Sequence, residues 1–299
     1  MSLSHLTRGQ LRTGLLACHD VLTTTLRASD PLGEFVDGLA GAYGGAFAAQ
    51  MGALRAALES AGGPGVLTAG DVREMVRAAG QTFGASWQPP DAQPFVGGAY
   101  GIGRSGILLP LGDEVDWDDG DAEAVDGLAD ELSFWGGQAW NVLGDYLEQA
   151  LMVGLVEPGR SAGDGLNDAL DAFAGRAATY WPVLAAVSLT RSRSFGTIGS
   201  CEQIGARSAR YTALIDDHTS PVCLIMHGRI FPVSALADAR DQWLEMSPRK
   251  AVREQPFPEP DELDGMSTED LVERGWTAPP LHFGPCRAHL WPMDVPDEE

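Results

Sequence analysis

The chain has 299 residues, with 20 Lys and Arg against 42 Asp and Glu, a formal net charge of −22. At 44% hydrophobic it carries enough apolar material for a sizeable core, which excludes disorder as its main state and fits about two domains. Repulsion from phosphates at this charge excludes wrapping of duplex DNA as a main task, and no run of about 18 apolar residues is present to span a bilayer.

Met1 to Thr13 lacks the charged-then-apolar order of a signal peptide, which predicts a protein inside a cell or inside an assembled particle. Leu3, Leu6, Leu11, Leu15, Leu22 and Leu26 recur at helical intervals and predict an amphipathic helix ending before Asp30-Pro31. Residues 34–60, rich in Ala and Leu, predict a second helix that stops at Gly62-Gly63-Pro64. Thr68, with Asp71 three residues on, forms a capping box ahead of Val72, Met75, Val76 and Phe83, a third short helix.

Trp87 to Gly112 is read as a loop, because Pro89, Pro90 and Pro94 precede Gly97, Gly98, Gly101, Gly103 and Gly106. Gly101-Ile-Gly103-Arg-Ser-Gly106 has the letters of a dinucleotide-binding turn. Ile107-Leu-Leu-Pro110 cannot open a helix cleanly after it and no β-α-β unit surrounds it, so it is read as a plain glycine loop. The carboxylates from Asp113 to Glu131 form a solvated acidic segment leading into a helix, since Gly120 breaks the order of a calcium loop. Leu128, Leu132, Trp135, Trp140, Leu143, Tyr146, Leu147 and Leu151 make one helical stripe through to Gly154. A further helix runs from Leu166 to Leu189, with Pro182 expected to kink it.

Composition changes near residue 190: residues 191–231 carry five basic and three acidic side chains, a local positive excess. Arg210 to Ile215, Gly228 to Val233 and Ala288 to Trp291 read as strands. Between the last two lies an insertion, about 234–276, holding a capped helix from Ser267 to Arg274 that Gly275 ends. The predicted fold is therefore α+β: a mostly helical region over 1–190, then a small antiparallel-sheet domain over 191–299 with a Cys/His knuckle.

The cysteines, Cys18, Cys201, Cys223 and Cys286, do not make a disulfide framework, so they are free thiols or metal ligands. His5, Cys18 and His19 fall on the first helix. Neighbours there point about 100° apart, which suits packing better than a Cys-His dyad. Cys223 with His227, and His282 with Cys286, are each separated by three residues, a spacing that lets both side chains of a pair reach one ion from a tight turn. Tetrahedral zinc accepts such a Cys2His2 set, and four protein ligands would make it structural. His218, Cys201 and His289 compete for the fourth place, and the alternative is four residues that pair by accident, the cysteines simply buried.

The run from Tyr211 through Gly228 and Phe231, then Pro279-Pro-Leu-His282-x-x-x-Cys286-Arg287, resembles the C-terminal domain of the phage Mu F-like minor head proteins, the head morphogenesis family. That family typically shows Asp-x-x-Thr-Cys-x-x-Cys, then a Gly and an aromatic, and a closing Pro-Pro-x-His-Pro-x-Cys-Arg-Cys. Asp217, Thr219, Cys223, Gly228, Phe231, Pro279, Pro280, His282, Cys286 and Arg287 match it in order, over about the last hundred residues. Ser220 stands where the family has its first cysteine, and Ala288 where it has the last. If the family's Cys, Cys, His and Cys positions bind zinc, this chain keeps Cys223, His282 and Cys286, with His227 as a replacement, or else it has kept the turn without the metal.

The resemblance implies a non-enzymatic minor capsid protein in a virion, at the portal vertex or inside the procapsid, with portal, coat or scaffold proteins as partners. It implies neither sequence-specific nucleic-acid binding nor a membrane. One alternative is a zinc-knuckle nuclease of the His-Asn-His type, invited by Asp217-His218 but opposed by the overall charge and the lack of a clear later Asn and His. Another is a toxin or effector built on the head module, although residues before 190 show no convincing catalytic arrangement.

Overall fold

The computed structural model describes residues 31–62, 68–111, 115–156 and 162–295. The helix expected over Leu3 to Leu26, with His5, Cys18 and His19, lies outside the described residues. In chain order the elements are α1 (Pro31–Gly62), α2 (Ala69–Ser86), α3 (Gln93–Leu111), α4 (Asp119–Gly137), α5 (Ala139–Val156), α6 (Ala162–Gln203), β1 (Ser208–Thr212), α7 (Pro221–Met226) and β2 (Ile230–Pro232). They continue with α8 (Val233–Glu245), α9 (Pro248–Glu254), α10 (Pro260–Leu263), α11 (Thr268–Glu273) and β3 (His289–Met293). The fold is α+β, mostly helical, with one small antiparallel sheet near its C-terminal end. No described helix is long and apolar enough to cross a membrane.

Contacts divide the chain into two compact units, the first within Met1–Val36, Gln93–Glu131 and Ala186–Glu299, the second within Asp37–Ala92 and Leu132–Ala185. In the second unit α2 packs on α5. The Thr68–Asp71 capping box starts α2, Asp71 Oδ2 accepting from the Thr68 N–H at 2.7 Å. Phe47, Phe83, Trp140, Phe173 and Trp181 build an aromatic core there, with ring centroids 5.2–6.0 Å apart in neighbouring pairs.

In the first unit the segment expected to be a loop is the helix α3. Pro89 and Pro90 precede it and Pro94 sits in its first turn, where no backbone donor is lost, while Pro110 falls one residue from its end. Gly103 in it, and Gly196 in α6, let the two helices approach closely. A Cβ at Gly103 would collide with the Arg193 carbonyl oxygen of α6, and one at Gly196 with the Tyr100 carbonyl oxygen of α3. The two backbones thus cross at contact distance, and tertiary packing overrides the weak helix propensity of glycine.

α6 does not end near Leu189 but runs to Gln203, with Pro182 inside it. The change of composition near residue 190 marks a change in what the helix faces. Ser192, Ser194, Thr197 and Ser200 are buried, and Ser200 Oγ donates to the Arg104 carbonyl at 3.0 Å. The stripe expected to be one helix through Gly154 is two, α4 and α5, separated by a turn at Gln138.

The sheet has the order β2-β1-β3, all neighbours antiparallel. Ala209 faces Phe231, and Tyr211 faces Leu290, so the middle strand carries the core of this layer. The insertion between β2 and β3 folds as α8 to α11. Ser267 caps α11 with Asp270, and Gly275 follows at φ 69°. Beneath it a buried ion pair joins Arg191 Nη1 to Glu131 Oε1 at 2.6 Å. Trp243 Nε1 donates to Glu131 Oε2 at 2.9 Å, and the guanidinium carbon lies 3.9 Å from the Trp243 ring centroid.

Candidate metal centre

Two segments far apart in sequence meet beside β1. The first leaves β1 through a turn that Thr219 fixes: its hydroxyl donates to the Leu214 carbonyl at 2.6 Å and accepts from the Asp216 N–H at 2.7 Å. Ser220 then caps α7, its Oγ accepting from the Cys223 N–H at 3.1 Å, with Pro221 at the first helical position. Cys223 therefore points inward from a one-turn helix that Gly228, at φ 85°, lets fold back onto the sheet. The Gly228 N–H donates to the Tyr211 carbonyl at 2.8 Å.

The second segment, Pro279 to Ala288, is tied to α6. Thr190 Oγ1 donates to the Cys286 carbonyl at 3.2 Å and Arg193 Nη2 to the Ala288 carbonyl at 2.7 Å. Arg287 Nη2 reaches across to Asp216 Oδ1 at 2.6 Å, joining the two segments.

At their junction Cys223, His282 and Cys286 each present a donor atom, all within 4.8 Å of one another, and the group can hold a metal ion. Both thiols are free and buried, their sulfurs 3.7 Å apart, while His282 is half-buried. The Tyr211 hydroxyl lies 3.5 Å from Cys223 Sγ. The two thiols titrate as a pair. The contact with the Cys286 thiol is the main force lowering Cys223, with burial opposing and His282, Ser220 and Tyr211 assisting. The same contact, together with burial, pushes Cys286 well above the usual thiol value. A cation is what would stabilise both sulfurs as thiolates.

His227 does not join the group. It is exposed at the end of α7, where its Nδ1 accepts from the Ala213 N–H at 3.1 Å. Its spacing from Cys223 is one helical turn, but the cap directs it to the backbone. His218 is exposed on the turn, its N–H donating to Asp216 Oδ1 at 2.9 Å, and His289 pairs with Thr212 in the sheet. Cys201 is buried in α6, its thiol pushed up to about 12 by burial. Among the described residues no fourth His, Cys, Asp or Glu belongs to the group.

Three contributors were not singled out from the sequence. The carboxylate that bonds Arg287 is Asp216 rather than Asp217, which is exposed; the signal was its position three residues before Thr219. Thr190 and Arg193 had no sequence signal, because they act on a segment about 95 residues away through a helix face.

Comparison with family models, with curated proteins and with solved structures found no match for this chain.

Proposed function

We propose that the chain is a minor capsid or head morphogenesis protein of a tailed phage or a phage-derived particle. In this reading it has a structural role at the portal vertex or inside the procapsid, and a zinc ion fastens its sheet domain through Cys223, His282 and Cys286. The observation that carries the reading is the convergence of the two motif halves. Thr219, Ser220, Cys223 and Gly228 on one side, and His282, Cys286 and Arg287 on the other, each have a local task at one junction. Accidental letter matches would have no reason to meet.

Zinc suits the donors: two thiolates and an imidazole are its usual partners, and tetrahedral bonds of about 2.3 Å place two sulfurs about 3.8 Å apart. The sulfurs here are 3.7 Å apart. A zinc so held supplies cross-linking rather than chemistry, joining α7 to the segment before β3 across an insertion of four short helices. The net charge of −22 suits a protein that works beside packaged DNA without adhering to it. The nuclease reading draws on Asp217-His218, both exposed and outside the Cys/His group.

Co-expression of the full chain with the portal and coat proteins of its own genome tests the assignment. The expected result is sedimentation with procapsids or with the portal ring; a protein that remains free at every stage of assembly contradicts it.

A further inference from the structure

Cys223, His282 and Cys286 leave one tetrahedral position to fill, and no other described His, Cys, Asp or Glu reaches it. One oxygen does lie against a sulfur of the group. Tyr211 sits in the middle strand of the sheet, its side chain fully buried, and its hydroxyl is 3.5 Å from Cys223 Sγ. Its position is set by the sheet. The Tyr211 N–H donates to the Arg229 carbonyl and its carbonyl accepts from the Gly228 N–H, both at 2.8 Å. Sulfur is a weak hydrogen-bonding partner, so the Cys223 contact holds the buried phenol only weakly.

We infer that the phenolic oxygen of Tyr211 is the fourth donor to the divalent ion held by Cys223, His282 and Cys286. The inference rests on the metal reading above and deepens it. Metal–sulfur bonds of about 2.3 Å and a metal–oxygen bond of about 2.0 Å give a sulfur–oxygen edge of about 3.5 Å in a tetrahedron. Cys223 and Tyr211 show that separation, as Cys223 and Cys286 show the sulfur–sulfur edge. Loading releases the phenol proton and the thiol protons to water. Two thiolates, a phenolate and a divalent ion then carry a net charge of −1. Arg193, whose Nη2 is held on the Ala288 carbonyl two residues beyond Cys286, supplies a positive charge to offset it. The centre so completed has no place for water, which fits a fastening role.

Cobalt(II) substitution in the full chain provides the test. Wild type is expected to bind one cobalt with a four-coordinate spectrum that azide leaves unchanged. Tyr211→Phe is expected to keep the thiolate charge-transfer bands, alter the ligand-field bands, shift with azide, and bind zinc at least about tenfold more weakly. A near-ultraviolet tyrosinate difference band on adding zinc to the metal-free wild type gives a second readout that needs no variant. Unchanged cobalt spectra and zinc affinity in Tyr211→Phe, azide binding by wild type, or no tyrosinate band would each overturn the inference while leaving the three-ligand metal site standing. A wild type that takes up no cobalt or zinc would overturn the metal reading itself, and this one with it.

Discussion

Arg287 donates to Asp216 at 2.6 Å across 71 residues of chain, tying the turn after β1 to the segment that enters β3. The pair is more than a third exposed, so its contribution to stability is small. A double-mutant cycle of Asp216→Ala and Arg287→Ala is expected to give a small coupling in urea denaturation, and Asp217→Ala to change nothing. Coupling through Asp217 instead would reassign the motif.

Acid should weaken the Asp216–Arg287 contact and the starts of α2 and α11. Asp216 is held well below the usual carboxylate range, chiefly by the Arg287 hydrogen bond, and Asp71 and Asp270 are lowered by their capping boxes. Each folded value lies below the unfolded one. Their stabilisation is therefore complete above the unfolded value near 3.8 and is lost as pH falls through the folded values. Thermal melts from neutral to strongly acid pH are expected to show the melting temperature falling below about pH 4. Asp270→Asn should flatten that dependence; an identical slope in the variant would remove the caps from the account.

The glycine run of α3 gives a paired prediction. Gly103→Ala forces a methyl group onto the α6 backbone and is expected to cost about 1–3 kcal/mol. Gly106→Ala, on the exposed face with open space around it, is expected to gain about 0.5–1 kcal/mol. Equal effects in chemical denaturation would mean that α3 and α6 do not cross there.

These cases also show what the sequence could reveal. The Thr68–Asp71 and Ser267–Asp270 boxes and the strands depend on short-range chemistry and were legible, while Cys223, His282 and Cys286 were legible through the spacing within each pair and through the resemblance. The α3 helix was not, because Gly103 is explained only by α6 lying against it. His227 misled for the opposite reason: its spacing fits a ligand, but the turn gives its nitrogen a backbone N–H instead. Asp216 was hidden beside an equivalent-looking Asp217 until Arg287 distinguished them.

Glu131 and Arg191 form a buried pair that is costly to break. Arg191 is fully buried, its charge disfavoured by desolvation and held by Glu131, which also accepts from Trp243. Glu131→Ala is expected to destabilise by about 3–5 kcal/mol, since it strands a buried cation and an indole donor. The double variant Glu131→Leu with Arg191→Met should recover much of that loss in thermal melts. A double variant no better than the single would show that burial of the unpaired charge is not the cause.

Elemental analysis of the purified full chain, with Cys286→Ala alongside, addresses the central claim most directly. The account predicts about one zinc per chain in wild type, none in the variant, and a lower melting temperature for the variant and for chelated wild type. A wild type purified without metal under zinc-replete conditions, with Cys286→Ala melting at the same temperature, would contradict it.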